Sequence, residues 1–183
     1  MEAYEEAFNK ANYPLALTLA KKRSDSGDAK AQYYVGLMYH KGLGVEKDDN
    51  EAAQHFCAAA GQDIPEAQFN LARMYEKGRG LPQNQKLAIQ WYRLAADQGL
   101  AQAQCNLGNL FSSDQSGVKN LDEALHYYQL AAEQGFVAAQ YNLGLLYHQD
   151  QSAPTNQTQA RKWLQKAADQ GNQEAATLLK KLG

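Results

Sequence analysis

The stretch AQYNLGLLY at residues 139–147 decides the fold of this chain. Its opening Ala-Gln pair occurs four times at a constant interval of 36 residues, and a looser copy follows at Ala175-Ala176. The four copies are Ala31-Gln32, Ala67-Gln68, Ala103-Gln104 and Ala139-Gln140. A fixed period of this length is typical of small supersecondary units that bury their apolar faces by stacking on one another. The sequence therefore predicts a repeat array that binds another macromolecule along an extended surface.

Each 36-residue unit contains two amphipathic segments. The first, called helix A here, places apolar or small residues at helical spacing between residues 31 and 39, and again between 67 and 75. The second, helix B, does the same between residues 88 and 96, and again between 124 and 132. No stretch alternates with a period of two over the length of a strand, so we expect no sheet. The predicted fold is an all-α solenoid of antiparallel helix pairs.

Polar residues and glycines predict where helix B begins and ends. Its N-caps are expected at Asp48, Asn84, Asn120 and Asn156. After its last turn, a left-handed residue is expected at Gly27, Asp63, Gly99, Gly135 and Gly171. Small residues also form a column in helix A, at Gly36, Ala72, Gly108 and Gly144. We expect this column to approach the Ala-Ala steps of helix B, such as Ala95-Ala96, closely.

The composition limits the classes of partner. With 44% hydrophobic and 21% charged residues, the 183-residue chain has the profile of a folded domain. Its net charge of -2 shows no basic surplus, so we expect no nucleic acid partner. No apolar run approaches the roughly 20 residues that span a bilayer, so we expect no membrane insertion. Cys57 and Cys105 are expected to be free thiols, which favours a cytoplasmic location; the alternative is a periplasmic or secreted protein whose leader has been removed.

Three stretches in one register resemble the Sel1-like repeat, a relative of the tetratricopeptide repeat: residues 139–147, KGLGV at 41–45 and WYRLAADQG at 91–99. The resemblance implies a right-handed α-solenoid, or superhelix, that serves as an adaptor or scaffold for protein complexes and has no shared catalytic site. We expect one domain over residues 1–183. It would comprise an N-terminal capping helix pair at 1–28, repeats at 29–64, 65–100, 101–136 and 137–172, and a C-terminal capping helix at 173–183.

Residues that carry chemistry elsewhere have structural interpretations in this chain. Gly42-Leu43-Gly44 lacks the preceding strand and third glycine of a nucleotide-binding loop, so it predicts a tight interhelical turn. His40 and His148 occupy equivalent positions but lack paired ligands, so we expect no metal site. No catalytic residue and no cofactor is expected, and an enzyme is the weaker class.

The candidate binding surface is the inner face of helix A. By analogy with tetratricopeptide repeats, two columns of helix A should face the concave side of the array. We predict that a protein or peptide partner contacts Tyr33, Leu37, Phe69, Arg73, Asn109, Tyr141 and Leu145. The alternative is that the aromatic column, which includes Tyr33, Phe69 and Tyr141, packs between neighbouring helices.

Two functions from different classes follow. The first is an adaptor that holds a protein segment on the concave face. The second is a hydrolase or a cell-wall-associated periplasmic module with a site that the sequence does not show. A monomer, or a dimer that is not joined through the last helix, is expected, because Lys180 stands in the small-residue column of helix A and would obstruct a further helix.

Overall fold

The computed structural model describes residues 2–114, 117–149 and 154–182, and within them all regular structure is helical. It forms two compact units, Met1–Gln98 and Gly99–Gly183, called the N-terminal and C-terminal units here. The N-terminal unit contains α1 (Ala3–Asn9), α2 (Tyr13–Ser24), α3 (Ala29–Lys41), α4 (Asp49–Ala60), α5 (Pro65–Lys77) and α6 (Gln85–Asp97). The C-terminal unit contains α7 (Ala101–Ser112), α8 (Leu121–Glu133), α9 (Val137–Gln149), α10 (Pro154–Asp169) and α11 (Gln173–Lys181). Within each unit, each helix packs mainly on the next one along the chain.

The predicted starts of helix B are confirmed in three repeats. The side chains of Asp48, Asn84 and Asn120 each accept hydrogen bonds from backbone N–H groups in the first turn of α4, α6 and α8. The prediction for Asn156 is wrong, because α10 already begins at Pro154. Proline suits the first helical position, since its missing N–H would have no partner there.

The predicted left-handed residues after helix B are also confirmed. The four glycines of that column have φ between 85° and 90°, and Asp63 has φ 61°. Gly42 and Gly44 have φ of 69° and 71°, as a tight interhelical turn requires.

The small-residue column of helix A does approach helix B closely, but its partners differ from those predicted. A Cβ added at Gly108 would lie 2.4 Å from the Tyr128 ring, and one added at Gly36 would lie 2.9 Å from the Phe56 ring. One added at Gly144 would meet Leu164 at 2.7 Å. The contacts are therefore large side chains of helix B rather than its Ala-Ala steps, because the glycine leaves room for a ring that closes the core of the repeat.

The Ala-Gln pairs that define the register are buried, except that Gln32 is half-buried. Ala67 and Gln68 are fully buried, and Gln104 and Gln140 are almost so. Each of these glutamines accepts a hydrogen bond from a second glutamine that follows helix B of the same repeat. The donor and acceptor pairs are Gln62 to Gln32, Gln98 to Gln68, Gln134 to Gln104 and Gln170 to Gln140, at 2.8 to 2.9 Å. A buried amide needs such partners, so these bonds explain why glutamine recurs at an interior position.

Candidate functional site

A large cavity lies in the C-terminal unit and is called the C-terminal groove here. It has a volume of about 970 Å³ and lies between the end of α7, the first half of α8 and the second half of α9. Its lining includes Asn109, Ser112, Leu125, Tyr128, Asn142 and Leu145. Its size is at the upper end of the range for sites that bind small molecules or peptide segments, roughly 300 to 1,000 Å³.

A hydrogen-bonded cluster fixes the polar side of this groove. The Tyr128 hydroxyl donates to Oδ1 of Asn109 at 2.8 Å, and Nδ2 of Asn142 donates to the same oxygen at 2.9 Å. The Ser112 hydroxyl lies 3.0 Å from the Tyr128 hydroxyl. Burial raises the pKa of Tyr128 to about 12, so its hydroxyl keeps its proton and remains a donor at neutral pH. The cluster therefore holds the exposed Asn109 side chain in one orientation.

Leucines form the apolar side of the same groove. Leu125, Leu145 and Leu146 are half-buried, and Leu121 is 48% exposed. The only ion pair recorded within the described lining joins Lys119 to Asp114 at 2.5 Å. The groove thus combines a nearly neutral polar edge with exposed aliphatic surface.

The equivalent place in the N-terminal unit is a shallow hollow, called the N-terminal depression here. It has a volume of about 10 Å³ and lies between α3, α4 and α5. Its lining residues are His40, Phe56, Asn70, Arg73, Met74, Lys77 and Arg79. Six of these seven residues occupy repeat positions that, two repeats later, line the C-terminal groove; the seventh, Arg79, corresponds to a position outside the described residues.

The predicted site residues of the N-terminal unit are partly committed to packing. Tyr33 is half-buried with its ring 6.1 Å from that of Phe56, and burial raises its pKa to about 12. Leu37 packs against the same cluster as Tyr33. The Phe69 ring lies 5.8 Å from that of Tyr92, and the exposed Arg73 guanidinium lies 5.7 Å from the centre of the Phe69 ring.

Of the three predicted site residues in the C-terminal unit, two line the groove and one packs against a core. Asn109 and Leu145 line the groove. Tyr141 instead packs against the core formed by Leu164, Ala167 and Ala175. Sequence reasoning missed Tyr128, Asn142 and Leu125, although Tyr128 stands in a helix B column of large side chains that was visible in the sequence.

Other candidate chemistry is limited. Nδ1 of His40 lies 2.8 Å from the Asp49 carboxylate. Across the described ranges, no three His, Cys, Asp or Glu side chains are grouped as metal ligands would be. In those same ranges, every helix falls short of the length and apolar character that crossing a bilayer requires.

Solved structures show where this arrangement occurs elsewhere. A Sel1 repeat protein from Oxalobacter formigenes is 36% identical, with a TM-score of 0.86, over 96% of this chain and 72% of its own. A protective antigen present in uropathogenic Escherichia coli strains, which displays an SLR fold, is 33% identical with a TM-score of 0.84. That alignment covers 91% of this chain but only 36% of the antigen. The immunity protein PA5088 from Pseudomonas aeruginosa is 22% identical with a TM-score of 0.61, over 97% of this chain and 68% of its own, which shows a shared fold alone.

No curated protein matches the sequence. The Sel1 repeat matches residues 29–63, 65–100, 101–136 and 137–172. These matches confirm the prediction of an all-α solenoid with 36-residue repeats. Sel1 repeat proteins are generally protein-interaction modules and typically non-catalytic scaffolds. Because four consecutive repeats account for most of its length, this chain belongs to the Sel1 repeat family.

Proposed function

We propose that this chain is a non-catalytic adaptor that binds an extended segment of a protein partner on the faces of its A helices. These are the faces that we expect to be concave. The contact residues in this proposal are Tyr33, Leu37, Phe69 and Arg73 in the N-terminal unit, and Asn109, Tyr141 and Leu145 in the C-terminal unit.

The observation that carries the proposal is the exposed Asn109 amide beside the leucines of the C-terminal groove. The carbonyl oxygen of Asn109 accepts from both Tyr128 and Asn142, so its amide plane is fixed. Its amino group carries two N–H donors, for which no acceptor is found among the described residues. An extended peptide presents backbone carbonyl groups that such donors bind without regard to sequence.

The leucines supply the second half of the interaction. An extended peptide directs alternate side chains to opposite sides, so a backbone held at Asn109 can place an apolar side chain towards Leu125 and Leu145. Burying exposed aliphatic surface at roughly 25 cal/mol per Å² would favour binding of apolar partner residues. Selectivity for the partner would come from these side-chain contacts.

A hydrolase finds less support in this groove. The Ser112 hydroxyl, a nucleophile by type, has the Asn109 backbone carbonyl at 3.2 Å and the Tyr128 hydroxyl at 3.0 Å. Neither group is a general base at neutral pH, whereas an activated serine needs one within hydrogen-bond reach. The adaptor therefore accounts better for the geometry.

The test is to select peptides from a displayed random library on the full chain and to measure their affinity for variants. Asn109→Ala and Leu145→Ala should each lower the affinity for the selected peptides by about tenfold, as truncation of a central interface residue does. Gln102→Ala and Leu94→Ala remove an exposed amide and an exposed leucine outside the groove and serve as matched controls. Equal affinity for all four variants would show that peptides do not bind at this groove.

A further inference from the structure

The N-terminal depression is basic, although the equivalent part of the C-terminal groove is not. Arg73, Lys77 and Arg79 border it together with His40. Two repeats later, Leu145 stands at the position of Arg73, and Gln149 at that of Lys77. The repeat fold therefore accepts neutral residues at these positions and does not itself require the positive charge.

Two of the cationic groups are not neutralised by neighbouring acids. Nζ of Lys77 lies 2.7 Å from the Glu76 carboxylate, and His40 faces Asp49. Among the described residues, Arg73 and Arg79 have no carboxylate within ion-pair distance. Lys77 also lies in the last turn of α5, where a cation offsets the helix dipole. That role does not explain Arg73, one turn earlier, or Arg79, beyond the helix end.

Both guanidinium groups extend from well-defined positions. The Arg73 guanidinium lies over the Phe69 ring. The Arg79 backbone N–H donates to the Met74 carbonyl at 3.1 Å, between two glycines in the left-handed region. A Cβ at the second of these, Gly80, would lie 2.0 Å from the Asp49 backbone oxygen, so this loop packs directly against α4. Less conformational entropy is then lost when a ligand binds.

We propose that the N-terminal depression binds an acidic segment of a protein partner, with Asp or Glu carboxylates placed across Arg73 and Arg79. This inference rests on the proposed adaptor function and specifies the partner chemistry for the N-terminal unit. A guanidinium group pairs with a carboxylate through two parallel hydrogen bonds, which favours arginine at such a site. Since a volume of about 10 Å³ holds about one water molecule, the acidic side chains lie across the rim of the depression and not inside it.

The test uses a blocked Glu-Ser-Glu-Ser-Glu peptide and its neutral counterpart Gln-Ser-Gln-Ser-Gln, titrated into the full ¹⁵N-labelled chain. The acidic peptide should shift backbone amide resonances at residues 73–80 and at His40. Raising the salt concentration about tenfold should weaken the binding of this peptide. Replacing both arginines, Arg73→Gln with Arg79→Gln, should weaken the acidic peptide by about tenfold or more, since two charge-assisted hydrogen-bonding groups are lost. Arg73→Glu with Arg79→Glu should abolish the shifts.

Controls separate this site from general charge effects. Lys22→Glu with Lys86→Glu changes the net charge by the same amount as Arg73→Glu with Arg79→Glu, but at exposed positions away from the depression. This control variant should retain most of the affinity for the acidic peptide. Circular dichroism melting of each variant shows whether it remains folded. The inference is overturned if the neutral peptide binds equally well, if the control variant loses as much affinity as the arginine variants, or if the shifts lie elsewhere.

Two further arms define the class of ligand. Inorganic phosphate and oligouridylate are titrated in the same way. If either shifts the same resonances more strongly than the acidic peptide does, the depression binds phosphate groups and the inference of an acidic protein segment is overturned. The adaptor function and this inference can fail separately. If the acidic peptide does not bind while the affinity of library-selected peptides still depends on Asn109, this inference is overturned and the adaptor function is not.

Discussion

The C-terminal groove and the N-terminal depression are built from the same repeat positions and differ in what those positions carry. Tyr128 and Phe56 are equivalent, as are Asn109 and Leu37. The Tyr128 hydroxyl organises Asn109 at the edge of the groove, whereas Phe56 offers no such donor. At these two positions the C-terminal groove therefore has both an amide donor and the hydroxyl that orients it, and the N-terminal depression has neither.

The two sites also differ in volume and in the size and charge of the side chains that line them. The cavity volume is about 970 Å³ where helix A carries Leu145 and about 10 Å³ where it carries Arg73. Behind the central ring, Cys105 of the C-terminal unit occupies the position of Tyr33. The same repeat positions thus form a nearly neutral groove with an aliphatic side in one unit and a basic, nearly filled surface in the other.

The two cysteines provide the largest expected difference. Burial raises the pKa of Cys105 to about 11, and the side chain is 3% exposed, whereas Cys57 is exposed. The thiolate is the reactive form, so a raised pKa lowers reactivity at every pH below it. At pH 8 we expect a thiol reagent to label Cys57 at least about a hundredfold faster than Cys105, because the raised pKa of Cys105 leaves very little of its thiolate and burial keeps the reagent from the sulfur.

Peptide mass spectrometry after timed labelling with iodoacetamide measures both rates in one sample. Unfolding in urea should equalise them, which is the internal control. Similar rates in the native chain would mean that the C-terminal unit opens readily behind its groove.

Gly108→Ala should destabilise the chain more than Gly36→Ala, the same substitution two repeats earlier. The new Cβ would lie 2.4 Å from the Tyr128 ring, which hydrogen bonds hold in place. We expect a loss of about 1 to 3 kcal/mol from overpacking, reduced by the gain of up to about 1 kcal/mol in helix propensity. Gly36→Ala is the matched comparison: its Cβ would lie 2.9 Å from Phe56, whose ring makes no hydroxyl bond, so its stability should change little.

Urea unfolding monitored by circular dichroism gives both free energies. Equal losses for the two variants would show that the hydroxyl bonds of Tyr128 do not restrain its ring.

These contrasts also show how far the sequence could predict the molecule. The period and the starts of helix B at Asp48, Asn84 and Asn120 depend on local spacing and short-range capping, so one sequence suffices. The predicted N-cap at Asn156 is wrong because two local signals compete, and the earlier one, Pro154, begins the helix. The groove could not be predicted, because its volume depends on how side chains from three helices fill a shared space. The paired glutamines after helix B, in contrast, formed a visible column that went unused.

Tyr128→Phe tests the hydroxyl directly. It makes the central ring of the C-terminal groove chemically equivalent to Phe56 and removes the hydrogen bonds to Asn109 and Ser112. We expect a loss of about 0.5 to 1.5 kcal/mol, the usual net contribution of such a bond, because both former partners still reach water. Tyr75→Phe, which alters a half-buried tyrosine outside both sites, should cost less.

The affinity of library-selected peptides extends this test. If the hydroxyl orients Asn109, Tyr128→Phe should weaken those peptides even when the variant is fully folded. Unchanged affinity would mean that Asn142 alone is enough to hold the amide.

Arg73→Leu should give the smallest effect on stability, because it places at the rim of the N-terminal depression the residue type found at Leu145. Arg73 is exposed and its recorded contact is with the Phe69 ring, so the free energy of unfolding should change by no more than about 0.5 kcal/mol. This result is expected because the positive charge of Arg73 belongs to the proposed binding surface, whereas the repeat fold accepts a leucine at the equivalent position. Equilibrium urea unfolding of wild type and variant is the measurement, with Lys86→Leu as the control for placing a leucine on an exposed helix. A loss of more than about 1 kcal/mol specific to Arg73→Leu would make the arginine a structural residue, and the basic character of the depression would then need no partner to explain it.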